Sequence, residues 1–427
     1  MIVNVLQVVL AVIGLLIIFD ICQQSFDVFG LLRHMRRERN RVDLSDGLPL
    51  PKAAVILSLR GPDPRLRDTL EALIAQDYPD FSVNIVVDSD TDPVLKDVME
   101  IQESDASDRI SVSVLRNPSR SCSLKCSSLI QAVHELNSDV EIISFIDGDV
   151  VPHATWLKEL VLPLANGEAD VSGGNRWYQP PTASLGAMSR YFWNAAYLTG
   201  MWAQGAPWAG TMAFHRDTVK KIGILEAWST AMSVDATLHR CMREHNLRFK
   251  MVESLIMANR EDISVSEFHR WVTRQMAVIR YSASATVRMA EIQVGILLLM
   301  HTLLPAAAVT AFSVGATDLG LLSLAGLTGY WLVCSLRMIL IERSMRKSIS
   351  RRENAPGWMS LASLLLWYPS VIVTHYVIGT GVILALRLKQ VDWRGIRYQL
   401  SNNGVVSMAD YHPYGSEWIR TDNQSVV

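Results

Sequence analysis

The sequence predicts an α/β fold: a cytosolic domain with an open, largely parallel sheet, preceded by a transmembrane helix and followed by a transmembrane helical bundle. Three observations predict it. Residues 2–19 form an uncharged apolar run that is long enough to cross a bilayer. Between Val42 and Arg288 no apolar run reaches that length, and strand patterns alternate with helical ones. Long apolar runs return at residues 292–314, 319–341 and 359–386.

The composition agrees with a membrane protein and argues against two other classes. The 427 residues carry a net charge of −2, so we expect no nucleic-acid partner, which would require a basic excess or a basic face. Only 19% of the residues are charged and the mean hydropathy is +0.18, which argues against disorder. The five cysteines form no disulfide framework, and Cys122 and Cys126 lack the partners of a zinc site.

The N-terminal run is predicted to be a membrane anchor, residues 1–22. A cleaved signal peptide would need a basic region before the run and a small-residue cleavage site after it, and the sequence has neither. A basic juxtamembrane linker follows, residues 23–50. Its cluster consists of Arg33, His34, Arg36, Arg37, Arg39 and Arg41. Because cytosolic loops carry an excess of positive charge, this cluster indicates that the following segment is cytosolic.

The C-terminal transmembrane region is predicted over residues 289–390, with a tail at 391–427. A second basic cluster follows the run at 319–341 and should also be cytosolic. It consists of Arg343, Arg346, Lys347, Arg351 and Arg352. A single span at 359–386 would place the basic tail outside, against the charge rule. That segment could hold a span plus an interfacial stretch, or a broken re-entrant hairpin, and the side of the tail stays open.

The central domain, residues 51–288, contains strand and helix patterns in alternation. Strands are predicted at 53–59, 83–87, 110–115 and 141–146, and helices at 66–75 and 123–136. Such alternation is typical of an open parallel sheet, which binds its ligands at the carboxyl ends of the strands.

Three acidic groups fall at predicted strand ends or helix starts. They are Asp88, Asp90 and Asp92 after the second strand, Asp147 and Asp149 after the fourth, and Asp235 further along. A single aspartate of this kind most often caps a helix or closes a turn. The D-x-D at 147–149 is more specific, because it follows a buried strand and Gly148 permits close backbone approach. Two such carboxylates suit Mg²⁺ or Mn²⁺, which also use waters and substrate phosphates as ligands.

Taken in order, several segments resemble the ceramide glucosyltransferases, which are membrane members of the family 2 glycosyltransferases. The segments are residues 57–64, 76–79, 88–93 and 210–217, Val234-Asp235 with Arg248-Phe249, residues 263–268, and the W-R-x-x-R-Y of 393–398. The resemblance covers about residues 50 to 400. It implies a Rossmann-like, nucleotide-diphospho-sugar transferase fold of the GT-A type. It also implies inverting transfer of a hexose, with glucose expected, from a UDP-sugar to a ceramide-like or diacylglycerol-like lipid hydroxyl at the cytosolic leaflet.

The resemblance further implies which residues bind the donor. Asp90 or Asp92, with Asp88 as a third candidate, would contact the nucleoside end of the UDP-sugar. Lys125 occupies the place of a lysine in the family's nucleotide-proximal helix.

The resemblance also implies the residues of the chemical step. Asp147 and Asp149 would hold the sugar nucleotide and its Mg²⁺ or Mn²⁺ ion, with Asp149 nearest the diphosphate as the metal ligand. Asp235 would be the general base. The chemistry agrees, because a metal can neutralise the leaving diphosphate and a carboxylate can accept the proton of the attacking hydroxyl. One departure is Val234, which stands where the family usually has a glutamate.

The fourth family motif, (Q/R)-x-x-R-W, is altered, and two registers fit it. In the preferred register Arg274 is the family arginine and Gln275 replaces the tryptophan. In the other register the pair is Arg270-Trp271, about one helical turn earlier. The functional expectation is a cation near the diphosphate. The structural alternative is an amphipathic helix with Arg and Trp at the membrane interface.

Aromatic residues concentrate between residues 177 and 208, either as core or as an interfacial surface where a lipid acceptor enters. They are Trp177, Tyr191, Trp193, Tyr197, Trp202 and Trp208. Two rival functions stay open. One is a processive polysaccharide synthase of the same superfamily. The other is a catalytically impaired membrane scaffold, which Val234 and Gln275 suggest.

Overall fold

A computed structural model of the chain describes residues 1–39, 49–104, 108–281, 285–352, 360–401 and 406–415. The helices are α1 Ile2–Arg39, α2 Leu66–Ile74, α3 Val94–Ser104, α4 Leu124–Glu135, α5 Trp156–Ala165, α6 Leu185–Gln204, α7 Arg216–Lys221, α8 Ile224–Trp228, α9 Val234–Glu244, α10 Val265–Tyr281, α11 Ala285–Ser313, α12 Thr317–Ile349, α13 Leu361–Leu365 and α14 Trp367–Ala385. The strands are β1 Ala53–Leu59, β2 Phe81–Val87, β3 Ile110–Val114, β4 Ile142–Ile146, β5 Val171–Tyr178, β6 Thr211–His215, β7 Phe249–Asn259, β8 Gln390–Trp393, β9 Ile396–Leu400 and β10 Val406–Asp410.

A seven-stranded mixed sheet, in the order β3-β2-β1-β4-β6-β5-β7, forms the centre of the α/β domain. The four predicted strands are confirmed as β1 to β4, and they pair in parallel. The sheet is less uniform than predicted, because β6 runs antiparallel to both β4 and β5. The carboxyl ends of β1, β2, β4 and β5 therefore meet at one edge, where β6 begins.

Apolar residues cover both faces of this sheet. Ile56 and Phe145 lie in a cluster with Trp228 of α8, whereas Leu57 lies on the other face with Leu70 of α2. Strands buried on both faces are typical of sheets covered by helices, and this explains the continuous apolar runs of β1 and β4 in the sequence.

A second, three-stranded antiparallel sheet in the order β10-β9-β8 follows the last helix. It packs onto the α/β domain beside α4: the Tyr398 hydroxyl accepts a hydrogen bond from the Leu124 N–H at 3.2 Å. The Met408 N–H donates to the Arg120 carbonyl at 2.7 Å. The described part of the predicted tail, of which the sequence indicated no structure, thus contributes to the domain's core.

Four helices are long and apolar enough to cross a membrane: α1, α11 from Val294, α12 and α14. Helix α1 extends beyond the predicted anchor, so that Arg33 to Arg39 of the basic cluster lie on helix, whereas Arg41 lies outside the described residues. Arg39 pairs with Glu253 of β7 at 2.8 Å. The carboxyl-terminal end of α1 is thereby attached to the α/β domain.

Candidate active site

The D-x-D turn lies at the carboxyl end of β4, on the sheet edge where four strands end. The Val150 N–H donates to the Asp147 carbonyl at 3.1 Å and closes the turn. A Cβ on Gly148 would stand only 2.8 Å from Cδ2 of Leu59, so a side chain there would require the Leu59 side chain to move. The turn presents Asp147 and Asp149 side by side, and both carboxylates remain partly accessible.

Two cations contact these carboxylates. Lys125, near the start of α4, forms an ion pair with Asp147. Arg176 of β5 places Nη2 3.1 Å from Oδ1 of Asp149 and 3.6 Å from Oδ2 of Asp147. Burial raises the pKa of Asp147, but Lys125 and Arg176 outweigh it and the pKa is lowered. Burial prevails at Asp149, whose pKa is raised although Arg176 acts against the shift.

Arg176 is a site residue that the sequence interpretation missed. Its guanidinium lies over the Trp208 ring at 4.8 Å and donates to the Tyr178 hydroxyl at 3.2 Å. Burial lowers its pKa, but Asp149 and the other neighbours raise it overall. An arginine in a buried strand requires carboxylate partners, and this signal could have identified it. The Trp208 ring, the Tyr178 hydroxyl and the Asp149 carboxylate therefore hold the Arg176 guanidinium beside the D-x-D.

The first acidic group divides into two buried aspartates and one exposed one. Asp88 is 1% exposed, pairs with Arg60 and accepts the Tyr414 N–H at 3.0 Å. Asp92 accepts the N–H groups of Gly61 at 2.8 Å and of Val94 at 3.0 Å, at the start of α3.

Burial raises the pKa of both buried carboxyl groups. Their oxygen atoms bind groups of the protein itself. Asp90 is exposed beside them.

Asp235 lies in the first turn of α9, where Ser233 caps the helix. Its Oδ1 accepts hydrogen bonds from the Ser233 hydroxyl and from the Ala236 N–H, the latter at 2.8 Å. Asp235 contributes to the raised pKa of Lys125, although burial, the largest effect, opposes it. Val234 points into the core and is 4% exposed. The residue that replaces the expected glutamate therefore does not line the site.

The two arginines of the altered fourth motif differ in environment. Burial lowers the pKa of Arg274 to about 10, with Tyr178, Arg394 and Asp392 as its electrostatic neighbours. Within the described ranges Arg274 forms no ion pair with a carboxylate. Arg270 is exposed, one turn earlier on α10. Arg274, unlike the exposed Arg270, shares a neighbour with the D-x-D, because Arg394 also acts on Asp147.

The aromatic residues near α10 form a connected group. Trp271 packs against Trp193 at 4.8 Å and Tyr178 at 5.9 Å, and Trp193 stacks on Tyr197 at 4.6 Å. Trp177 is fully buried and donates to Glu342 of α12 at 3.2 Å. Half of the predicted aromatic set, Trp177, Tyr191 and Trp193, is therefore buried core, and Trp177 joins the α/β domain to α12.

The tip of the hairpin between β8 and β9 also reaches the site. Arg394 has a φ of 47°, followed by Gly395 at 75°. Its side chain donates to the Arg60 carbonyl and lies 3.6 Å from Asp63. It is the weakest of several influences that lower the pKa of Asp147. The sequence indicated a conspicuous tail motif here, but no pattern placed it at the D-x-D.

The donor set suits a metal that takes part of its shell from substrate. No group of three or more His, Cys, Asp or Glu residues in the described part of the chain could hold a metal by itself. Asp147 and Asp149 offer two adjacent, partly accessible carboxylates. Mg²⁺ and Mn²⁺ are commonly held by one or two carboxylates with waters and phosphate oxygens completing the shell. The residues present therefore fit such an ion.

Solved structures similar to this chain are distant. The mannosyltransferase PcManGT from Pyrobaculum calidifontis, solved with GDP-Man and Mn²⁺, is 13% identical, with a TM-score of 0.48, and the match covers 88% of this chain and 98% of that one. S. aureus TarS 1–349 with UDP-GlcNAc is 16% identical, with a TM-score of 0.34 and coverages of 84% and 100%. The glucosyl-3-phosphoglycerate synthase from Mycobacterium tuberculosis is 13% identical, with a TM-score of 0.35 and coverages of 54% and 80%. No curated protein matches the sequence.

A family model supplies the assignment. The model for glycosyl transferase family 21 matches residues 15–406, from within α1 to the start of β10. It confirms the prediction that the chain is a glycosyltransferase, whereas the sugar and the acceptor stay predictions. The match covers most of the chain, and the protein therefore belongs to glycosyl transferase family 21.

Proposed function

We propose that the protein is a membrane-bound inverting glycosyltransferase that moves a hexose from a UDP-sugar to a lipid hydroxyl at the cytosolic leaflet. Glucose is the expected sugar, and a ceramide-like or diacylglycerol-like lipid is the expected acceptor. The observation that carries the proposal is the meeting of the D-x-D carboxylates with Lys125 and Asp235 at one sheet edge, in a chain with long apolar helices.

The donor would lie across this edge. Asp149, with Asp147 beside it, would hold Mg²⁺ or Mn²⁺. Such an ion neutralises charge on the leaving diphosphate when bound. Lys125 orients Asp147 through their ion pair, and Arg274 offers a cation that no described carboxylate neutralises. Asp90 is the accessible candidate for the nucleoside, because Asp88 and Asp92 already bind the protein.

Asp235 would accept the proton of the attacking hydroxyl. Its contact with the Ser233 hydroxyl and the Ala236 N–H holds the carboxylate in place at the start of α9. As the acceptor oxygen bonds to the anomeric carbon, the bond from that carbon to the diphosphate oxygen breaks and UDP leaves. One displacement from the opposite side inverts the anomeric configuration, so an α-linked donor gives a β-linked product.

The proposal of a lipid acceptor rests on where the site lies. Tyr178 and Trp271 border Arg274 on the side of α10, and α10 in turn packs against α14 through the contact of Thr273 with Gly381. An acceptor hydroxyl at the head-group level would reach the site past aromatic side chains, which favour this depth.

The test is to incubate the purified protein in detergent with several UDP-sugars, Mn²⁺ and a total lipid extract. We expect a lipid to gain the mass of one hexose, with a β linkage by NMR. Asp235→Asn should lose transfer and still bind UDP. Asp217 is an exposed aspartate on α7, and Asp217→Asn should keep normal transfer. A growing polymer would favour the polysaccharide synthase, and UDP binding without any transfer would favour the scaffold.

A further inference from the structure

The C-terminal sheet and the α/β domain must lie on the same side of a membrane, because they share a core. The Tyr398 hydroxyl binds the Leu124 N–H at 3.2 Å, and the Met408 N–H binds the Arg120 carbonyl at 2.7 Å. Further along, the Tyr414 N–H donates to Asp88 at 3.0 Å. Val391, Ile396 and Val406 belong to the same buried cluster as residues of α4. A bilayer cannot separate these partners.

The path between the two constrains how many helices cross. The chain leaves the domain through α10 and enters α11 and α12, which are joined by the short turn at 314–316. Two helices so joined form a hairpin that returns the chain to the side from which it left. Among the described residues between α12 and β8, α14 is the one helix long enough to cross. If α14 also crossed, the number of crossings would be odd, and β8 to β10 would emerge on the side opposite their packing partners.

The contacts of α14 agree with a helix that lies along the domain. Trp367, its first residue, packs on Phe192 of α6 at 4.9 Å. In its middle, the Thr374 hydroxyl donates to the Ser189 carbonyl at 3.0 Å. Past its end, the Leu386 carbonyl accepts from Arg280 of α10 at 2.9 Å. The helix therefore contacts domain helices from its first turn to its last.

We propose that α13 and α14 form an interfacial unit that does not cross, with one face on the α/β domain and the other on the lipids of the adjoining leaflet. The outer face exposes Leu361, Leu364, Leu365, Tyr368, Ile383 and Leu384. Residues 361–385 contain no Asp, Glu, Lys or Arg. The Tyr376 hydroxyl binds the His301 carbonyl of α11 at 2.9 Å, so this face continues the lipid-facing surface of the hairpin. The partner it fits is the bilayer itself, at the boundary of head groups and acyl chains.

This inference goes beyond the proposed function and does not depend on it. It leaves α1, α11 and α12 as the crossing helices. It also resolves the conflict between the apolar run at 359–386 and the charge rule, because the basic tail then lies on the same side as both basic clusters.

Labelling in sealed vesicles tests the side of the tail. In the full-length Cys22→Ser/Cys334→Ser protein, whose other native cysteines are buried, one cysteine at a time replaces exposed Lys96 of α3, Thr317 at the start of α12 or Ser407 of β10. A membrane-impermeant maleimide should label Ser407→Cys together with Lys96→Cys, and Thr317→Cys only from the opposite side. Labelling of Ser407→Cys together with Thr317→Cys would overturn the proposal. Asp410→Cys, also exposed on β10, repeats the test if Ser407→Cys fails to fold.

A depth measurement tests the helix directly. Nitroxide labels at Tyr368→Cys and Leu384→Cys mark the two ends of α14, and Val309→Cys marks a crossing helix. The ratio of oxygen to nickel-chelate accessibility should place both α14 labels at one shallow depth of the same leaflet. Two labels at opposite surfaces, about 24 Å apart along the helix axis, would show that α14 crosses.

Discussion

The Nη2 atom of Arg176 lies 3.1 Å from Oδ1 of Asp149. The D-x-D turn is therefore paired with a positive charge from strand β5. The guanidinium is fixed by the Trp208 ring and the Tyr178 hydroxyl. Charge-assisted hydrogen bonds of this type are stronger than neutral ones. The pair therefore sets the charge that a divalent cation or a diphosphate meets at this edge.

Removing this charge should strengthen metal binding and weaken catalysis. In Arg176→Gln we expect Mn²⁺ to bind about tenfold more tightly without nucleotide, which corresponds to about 1.4 kcal/mol, because a repelling cation beside Asp149 is gone. Transfer should fall, because the diphosphate loses a cation. Titration of free Mn²⁺ by electron paramagnetic resonance measures the first effect and steady-state kinetics the second.

Arg248→Gln is the matched control, because Arg248 pairs with Asp170 at the same 3.1 Å but at the surface. It should leave both quantities unchanged. Asp149→Asn should abolish Mn²⁺ binding in either background. Unchanged or weaker Mn²⁺ binding in Arg176→Gln would contradict the assigned role of Arg176.

Substitution of Arg394, whose backbone has a positive φ, should affect the rate of sugar transfer more than the stability of the fold. The φ of 47° at Arg394 strains any residue with a side chain, at a cost of about 1 kcal/mol, and Gly395 already supplies the flexible position of the turn. In Arg394→Gly, the relieved strain should offset the lost contacts with Arg60 and Asp63, so the melting temperature should change little. Transfer should fall at least tenfold, because a cation is lost beside Asp147 and Arg274.

Asp108→Gly provides the control for Arg394→Gly, since Asp108 also has a positive φ, of 54°, in an exposed loop. It should keep full activity. If Arg394→Gly transferred sugar as fast as the unaltered protein, the hairpin tip would have only a structural role.

The strand ends and aspartates of this site were easier to predict from the sequence than the cations that contact them. Strand ends can be predicted because apolar runs stop at polar residues, and β4 with its D-x-D was predicted in this way. The partners of Asp88 and Asp92 were not predicted. They come from the tail and from Gly61, and contacts between distant segments leave no local pattern in the sequence. Arg176 was missed because β5 was not among the predicted strands, and its role depends on β5 lying near β4, which the antiparallel β6 determines.

The ion pair of Asp147 with Lys125 should make the fold sensitive to acid. The pKa of Asp147 is lowered from its usual 3.8, because Lys125 and Arg176 outweigh the effect of burial. The pair therefore stabilises the protein above pH 3.8, and this contribution is lost as pH falls through the lower folded value. Melting temperatures of detergent-solubilised protein between pH 6 and about 3 should fall less steeply for Asp147→Asn than for the unaltered protein. Asp217→Asn should follow the unaltered protein, and an equal slope for Asp147→Asn would refute the assignment.

The two registers of the fourth motif predict opposite results for two arginines one helical turn apart. Arg274 is the arginine that faces Tyr178 and forms no ion pair with any carboxylate in the described part of the chain, whereas Arg270 is exposed to solvent. Arg274→Gln should lower kcat by about 10² or more, the range seen when a preorganised group that stabilises developing charge is removed. Arg270→Gln should stay within about twofold, because surface charges contribute little. Kinetics of both variants with a UDP-sugar and the lipid acceptor decide between the registers. A loss in Arg270→Gln with normal turnover in Arg274→Gln would reverse the assignment and place the diphosphate nearer the membrane surface.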